Sequence, residues 1–366
     1  MTGAGPSDVH SARPHVAARI ESAIDRRIAA RLGRRGWTVR IEPYASYGAP
    51  GWVRVMARAL LAAPIVGDED LPGAGSSAQA GERPAPAVRG WRSFATAQVS
   101  GAVLTVTLGD RVHRVTTDRG GYVDVVLTAD LEPGWHDVRI TTQDGASSTA
   151  PVHVIGPEVR FGIVSDIDDT VMVTRLPRPF LAAWNVFLRH ENAREPVPGM
   201  SSLYAELLDG DERLPVIYLS TGAFNAAPTI GRFLQRYRFP AGPMLMTDWG
   251  PTNSGWFRSG PHHKITQLRR LMRELPQVQW VLVGDDGQRD PQIYAGAAQR
   301  HPGHVLAILI RQLTFTEHVL AHGVTAPTND SLRAELRARR EGIPVLQGPD
   351  GPSLARQVRD RGIRLR

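Results

Sequence analysis

The chain has 366 residues, 42% of them hydrophobic, enough to bury a core and to exclude a wholly disordered protein. It has no cysteine, which excludes disulfide frameworks, zinc–thiolate sites and thiol nucleophiles. Its net charge of +7 rests on 43 basic residues, all arginine except Lys264. That bias is expected of a GC-rich bacterial genome, and the basic surface suits nucleic acid, phospholipid headgroups or phosphorylated metabolites without choosing among them. No apolar run approaches the roughly 18 residues of a membrane span. The nearest, Trp52–Val66, is interrupted by Arg54 and Arg58, and Met1–Ser11 has no apolar secretory core. A soluble, cytoplasmic protein is expected.

Taken in order, residues 1–37 read as a basic helix. Pro14 suits a first turn, and Val16, Ile20, Ile24, Ile28 and Leu32 recur every four positions, with Gly33 and Gly36 as stops. The other faces carry Arg19, Arg26, Arg27, Arg31, Arg34 and Arg35. Two readings stay open: packing on its own domain, or peripheral contact with an anionic membrane. Residues 38–156 change to a period of two. Trp52–Leu60, Ala102–Leu108, Val112–Thr116, Tyr122–Leu127 and Trp135–Thr142 are short runs separated by Gly or Asp turns, which predicts a small antiparallel, sandwich-like β domain. Within it, residues 67–88 are crowded with Gly, Pro, Ser and acids and predict a long flexible loop. Nothing in this half concentrates reactive side chains, so it reads as a binding or scaffolding module.

Residues 157–322 alternate strand with helix. The predicted strands are Val159–Ser165, Pro215–Leu219, Met244–Met246, Val278–Val283 and Val305–Ile310. Ser201–Leu208, Thr229–Tyr237, Lys264–Glu274 and Pro291–Arg300 fit helices between them. This predicts an α/β domain with a doubly wound parallel sheet. An excursion from Val171 to Pro198, with Phe180, Trp184, Phe187 and Leu188, reads as a small lid or as cover for the sheet. Residues 323–366 form a basic extension with helical stretches at Ser331–Arg340 and Ser353–Arg361.

The chemistry gathers at strand ends. Phe161–Ser165 runs into Asp166-Ile167-Asp168-Asp169-Thr170, three carboxylates within four residues. Ligands of an open parallel sheet bind outside the carboxyl ends of its strands. Carboxylates crowded there repel one another unless a hard cation such as Mg²⁺ neutralises them. Ser220-Thr221-Gly222 places hydroxyls and a flexible residue at a second strand end. Lys264 opens a helix, and Val283-Gly284-Asp285-Asp286-Gly287-Gln288-Arg289-Asp290 ends another strand in acid. Where arginine fills every other basic position, a retained lysine suits a tight site that needs a compact ammonium. His262 and His263 precede it; two adjacent imidazoles do not make a transition-metal site. Asp248-Trp249 and Trp256-Phe257 lie in the loop before Lys264 and read as local packing, with contact to a leaving group as the alternative. Arg311 ends the last strand and reads equally as an anion-steering or a surface residue.

These motifs, in this order and over roughly residues 158–320, resemble the haloacid-dehalogenase (HAD) superfamily of aspartate-nucleophile phosphatases. More narrowly, Ser165–Thr170 with His263-Lys264 and Gly284–Pro291 resembles the catalytic domain of the actin-patch phosphatidate phosphatase family. The resemblance implies a HAD-like Rossmannoid sheet and Mg²⁺-dependent hydrolysis of phosphatidate or a related lipid phosphate. Asp166 would be the nucleophile forming an aspartyl phosphate, and Asp168 the general acid and base. Lys264 and Ser220 would hold phosphoryl oxygens, with Thr170, Thr221, Gly222, His263 and Arg311 as substrate contacts. Mg²⁺ would be held by Asp166, the backbone carbonyl of Asp168, and Asp285, with Asp290 and Asp286 as rivals or partners of Asp285. The alternatives are a phosphatase of soluble nucleotide or sugar phosphates, and a non-catalytic membrane-associated scaffold. No nucleic-acid motif accompanies the basic charge, so no nucleic-acid partner is expected.

Overall fold

The computed structural model describes residues 37–62, 98–173, 194–247, 260–314, 317, 338 and 342–363. The expected basic helix of 1–37 apart from Trp37, the loop 67–88, the aromatic residues of the 171–198 excursion, Asp248-Trp249 and Trp256-Phe257 lie outside them. So does the helical stretch 331–340 apart from Ala338.

The period-two half forms one seven-stranded sheet. Its strands are β1 (Thr38–Ala49), β2 (Gly51–Ala62), β3 (Val103–Leu108), β4 (Arg111–Thr116), β5 (Tyr122–Ala129), β6 (Gly134–Thr142) and β7 (Ser147–Val154). They lie in the order β4-β3-β6-β7-β1-β2-β5. All neighbours are antiparallel except β1 and β7, which run parallel through Ser46–Gly48 and Val152–Val154. The sheet curls enough to bring its edges together, for His113 Nε2 of β4 lies 2.8 Å from the Thr128 carbonyl oxygen of β5. The expected antiparallel sandwich is therefore a single mixed sheet. Alternate residues fill its core, among them Val53, Val55, Leu104, Val106, Val138 and Val152.

Two of these strands escaped the pattern reading because each contains proline. Pro151 of β7 lies one residue before the pairing with β1 begins, so its missing N–H leaves no gap in that ladder. β1 carries Pro43 and a register shift between Tyr44 and Tyr47. Ser46 patches the bulge: its hydroxyl donates to the Tyr44 carbonyl and accepts the Met56 N–H, each at 3.0 Å.

The second half is a six-stranded sheet of β8 (Phe161–Ser165), β9 (Val216–Ala223), β10 (Met244–Thr247), β11 (Gln279–Asp285), β12 (Val305–Arg311) and β13 (Val345–Gly348). Its order is β10-β9-β8-β11-β12-β13, and every pairing is parallel. Counted from β8 this is 3-2-1-4-5-6, which reverses direction between β8 and β11 and opens a crevice at their carboxyl ends. Among the described residues its α-helices are α1 (Met200–Leu208), α2 (Ala227–Arg236), α3 (Gly260–Glu274), α4 (Asp290–Arg300) and α5 (Gly351–Asp360). β11 and β12 are buried almost without interruption, as strands covered on both faces must be. The parallel α/β expectation holds, with an addition. The tail, read as an extension, supplies the edge strand β13 and α5, whose Asp350 cap accepts the Ser353 N–H at 2.9 Å. The two sheets share a core, since Tyr44, Tyr47, Met56 and Tyr122 pack into the same cluster as the parallel sheet.

Candidate active site

The loop after β8 is tightly wound. The Asp166 N–H donates to the Val283 carbonyl of β11 at 2.9 Å, binding the two strands at the switch point. Val171 and Met172 both donate to the Ile167 carbonyl, and the Asp169 N–H donates to the Met172 carbonyl at 2.8 Å. Closing so small a loop puts Asp169 at φ +58°, which a short polar side chain tolerates. Asp166, Asp168, Asp169 and Thr170 are all buried.

Four charged groups converge there. Lys264 Nζ, from the second turn of α3, lies 2.7 Å from Asp166 Oδ1 and 2.6 Å from Asp290 Oδ1. Asp285 ends β11, and its Oδ1 accepts the N–H groups of Gly287 and Gln288 at 2.8 and 2.9 Å. One oxygen from each of Asp166, Asp285 and Asp290 falls within 4.8 Å of the others. The Oδ2 atoms of all three are buried without a hydrogen-bond partner among the described residues. Three carboxylates and one ammonium sum to −2, and all four side chains are at most 1% exposed.

The electrostatics follow from that crowding. Burial pushes the Asp166 carboxyl well above its ordinary range; Lys264 opposes this, while Asp290 and Asp168 add to it. Burial also pushes Asp285 well up, reinforced by the negative charges of Asp290 and Asp166. For Lys264 burial favours the neutral amine, but Asp166 and Asp290 more than reverse it and hold the ammonium charged. The arrangement lacks positive charge. A divalent cation among the three carboxylates would bring the sum to zero, and an all-oxygen donor set is what Mg²⁺ prefers.

The other expected residues divide. Ser220, buried within β9 three residues before its end, accepts the Gly222 N–H at 2.9 Å and donates to Asp168 Oδ2 across a long 3.4 Å, so it steadies that carboxylate. The Thr221 and Gly222 carbonyls both accept from the Thr247 hydroxyl, which ties the carboxyl ends of the parallel strands β9 and β10 together. Thr170 is buried, and its hydroxyl finds no partner among the described residues. His263 is buried with Nε2 3.3 Å from the Leu245 carbonyl. Asp286 turns away: its Oδ1 accepts the Leu313 N–H at 2.9 Å, so of the two rivals Asp290 joins Asp285. Arg311 is neither a surface residue nor an uncommitted anion-steering cation. It is 4% exposed, and its nitrogens donate to the carbonyls of Pro349 and Asp169 and to Glu317. It anchors the acid loop from the end of β12.

Sequence reasoning missed Gly284. A Cβ there would stand 2.5 Å from Asp290 Oδ2 and 2.8 Å from Tyr294 Cε2, so the strand must be bare for Asp290 to reach the cluster from α4. The Gly-Asp-Asp-Gly string held the signal, but the need for glycine comes from a helix that sequence alone does not dock.

Part of the chain is similar to known proteins. Residues 161–312 match the family model described as phosphatidate phosphatase APP1, catalytic domain. The phosphatidate phosphatase APP1 of Saccharomyces cerevisiae is 27% identical over 203 residues, 54% of this chain and 34% of that protein. An uncharacterized protein of Schizosaccharomyces pombe is 27% identical over 153 residues, 41% of this chain and 25% of that protein. The chain thus spans about a third of the length of the first relative and a quarter of the second. A carbohydrate acetylesterase from Xanthomonas citri covers 83% of this chain and 75% of its own, but at 11% identity and a TM-score of 0.26 the likeness carries no argument. The resemblance read from residues 165–170, 263–264 and 284–291 is therefore borne out: residues 161–312 carry the catalytic-domain signature of the APP1 phosphatidate phosphatase family.

Proposed function

We propose that the chain is a Mg²⁺-dependent phosphomonoesterase of the HAD type, acting through an aspartyl phosphate on phosphatidate or a related lipid phosphate. One observation carries the reading. Three buried carboxylates with unpartnered oxygens and one buried ammonium converge at the switch point of a parallel sheet, and they lack two positive charges.

When bound, Mg²⁺ would be held by Asp166, Asp285 and Asp290, with the Asp168 carbonyl as a further donor, and would supply charge neutralisation and Lewis acidity. The chain does the rest. An Asp166 carboxylate oxygen attacks phosphorus, the bond from phosphorus to the ester oxygen breaks, and the leaving alkoxide takes its proton from Asp168. Asp168, now a carboxylate, removes a proton from water, which attacks phosphorus and breaks the bond to Asp166, releasing inorganic phosphate. Lys264 keeps Asp166 oriented and presents positive charge where the phosphoryl oxygens gather. Ser220 has a single O–H, which steadies Asp168 in the free site and would pass to a phosphoryl oxygen when substrate is bound. Phosphoryl transfer rests mainly on such positioning and charge.

The test is phosphate release from lipid and soluble phosphomonoesters, in detergent micelles and without them, before and after EDTA. Release from phosphatidate in micelles, lost with EDTA and restored by Mg²⁺, is expected. Preference for a nucleotide or sugar phosphate would replace the lipid reading, and no release from any substrate would leave a scaffold that retains the fold.

A further inference from the structure

We infer that the seven-stranded sheet is part of the catalytic apparatus. Arg54, Tyr47 and Asp124 grip α3, and Tyr44 and Tyr122 grip the segment after β9, so that Lys264 and Ser220 meet one phosphoryl group. These are positioning residues, and the kinetic part of the inference rests on the phosphatase reading above.

Arg54 lies in β2, a stretch that is apolar but for Arg54 and Arg58, and its side chain is 2% exposed. Its Nε and Nη2 hold both oxygens of Asp124 on β5 at 2.6 and 2.7 Å. Nη1 donates to the Tyr47 hydroxyl at 3.0 Å and to Gln267 Oε1 of α3 at 3.1 Å. The Tyr47 hydroxyl donates to Glu274 Oε2 at 2.6 Å, and Arg270 Nε donates to the other Glu274 oxygen, also at 2.6 Å. Gln267, Arg270 and Glu274 are spaced by three and four residues, one stripe along α3. Lys264 sits one turn before Gln267, so any slide or roll of that stripe moves its ammonium.

The second grip is aromatic. Phe224 follows Ser220 by four residues, and its ring lies 4.7 Å from Tyr44 and 5.6 Å from Tyr122 between centroids. Arg58 covers Tyr122 at 4.4 Å. The acids Asp166 and Asp285 come from β8 and β11, the two innermost strands, where neighbours on both sides fix them. Lys264 and Ser220 come from α3 and from β9, next to the edge strand β10, and the other sheet reaches this side of the molecule: it holds α3 and Phe224 just after β9, and β1 also meets β10. A sheet that merely needed to attach would do so with apolar contacts, because burying a guanidinium carries a desolvation cost. What the fork of arginine adds is geometry.

The experiment compares the full chain with Arg54→Met and Arg54→Lys. It measures kcat and KM on an aryl phosphate with Mg²⁺, the thermal midpoint, and hydrogen exchange of α3 against α4. A displacement on the order of 1 Å at a reacting group costs up to about a hundredfold. Arg54→Met is therefore expected to lower kcat about ten- to a hundredfold with KM held within about threefold, and Arg54→Lys to recover part. Exchange should quicken in α3 and stay unchanged in α4. Unaltered kcat and α3 exchange in a folded Arg54→Met would overturn the inference. So would parallel loosening of α3 and α4 with a fallen midpoint, which marks a general support. If Arg54→Met does not fold, Tyr47→Phe removes two of these bonds and Gln267→Leu one, and both are read the same way. A wild type that releases no phosphate from any substrate sinks the phosphatase reading, and α3 exchange alone then decides whether the grip exists.

Discussion

At the scale of single residues, size and burial set what the site tolerates. Lys264 Nζ fits between two carboxylates at 2.6 and 2.7 Å in a pocket that leaves 1% of its side chain exposed. A guanidinium keeps the charge but needs more width, so it would push Asp166 or Asp290 aside. Lys264→Arg is expected to lose about a hundredfold or more in turnover, since a misplacement near 1 Å suffices for that; turnover within about threefold of wild type would show that charge alone matters. His153 offers a separate test in the other sheet. It lies flat against Trp135, with ring centroids 4.7 Å apart, and burial holds its imidazole down at about 4 against an ordinary 6.5. The neutral ring is thus the native form. Its contribution is whole above about pH 6.5, falls as pH drops towards 4, and changes no further below, at about 1.4 kcal/mol per unit. Urea unfolding at pH 7 and pH 5 is expected to show wild type losing about 2 kcal/mol more than His153→Phe. Equal losses would mean the histidine is charged in the fold.

At the scale of elements, the tail helix decides how the parallel sheet is finished. α1 and α5 meet at their first turns: the Gly351 N–H donates to the Pro198 carbonyl at 2.9 Å, and a Cβ on Gly199 would stand 2.4 Å from Pro352 Cδ. Gly199 also has φ +69°. Overpacking and a left-handed backbone together make Gly199→Ala cost about 2–3 kcal/mol, read as a lower urea midpoint. An unchanged midpoint would mean α5 is not docked there. The same contact explains what the sequence could not tell. β8, β9 and β11 were legible because each apolar run stops abruptly at Asp166, Ser220 or Asp285, and the helices between them keep their period. β13 is four residues long and acquires its meaning only by pairing with β12. Alternation put Arg54 on a strand, but its partners lie 70 and 213 positions away in sequence. Arg311 likewise looks like a strand-end cation until Asp169, Pro349 and Glu317 fold around it.

At the scale of the molecule, one sheet supplies the acids and the other holds the elements that bring the ammonium and the hydroxyl. Among the described residues no helix is long and apolar enough to cross a membrane. A lipid phosphate would therefore have to be met at the surface of a bilayer or micelle as far as those residues are concerned. The central claim is that the convergence on Asp166 performs phosphoryl chemistry. Phosphate release from a soluble aryl phosphate by Asp166→Asn, beside wild type at saturating Mg²⁺, tests it most directly. The substitution keeps shape and removes the nucleophile, so release is predicted to fall about a thousandfold or more while the thermal midpoint does not fall. Release at the wild-type rate from the folded variant would contradict the account.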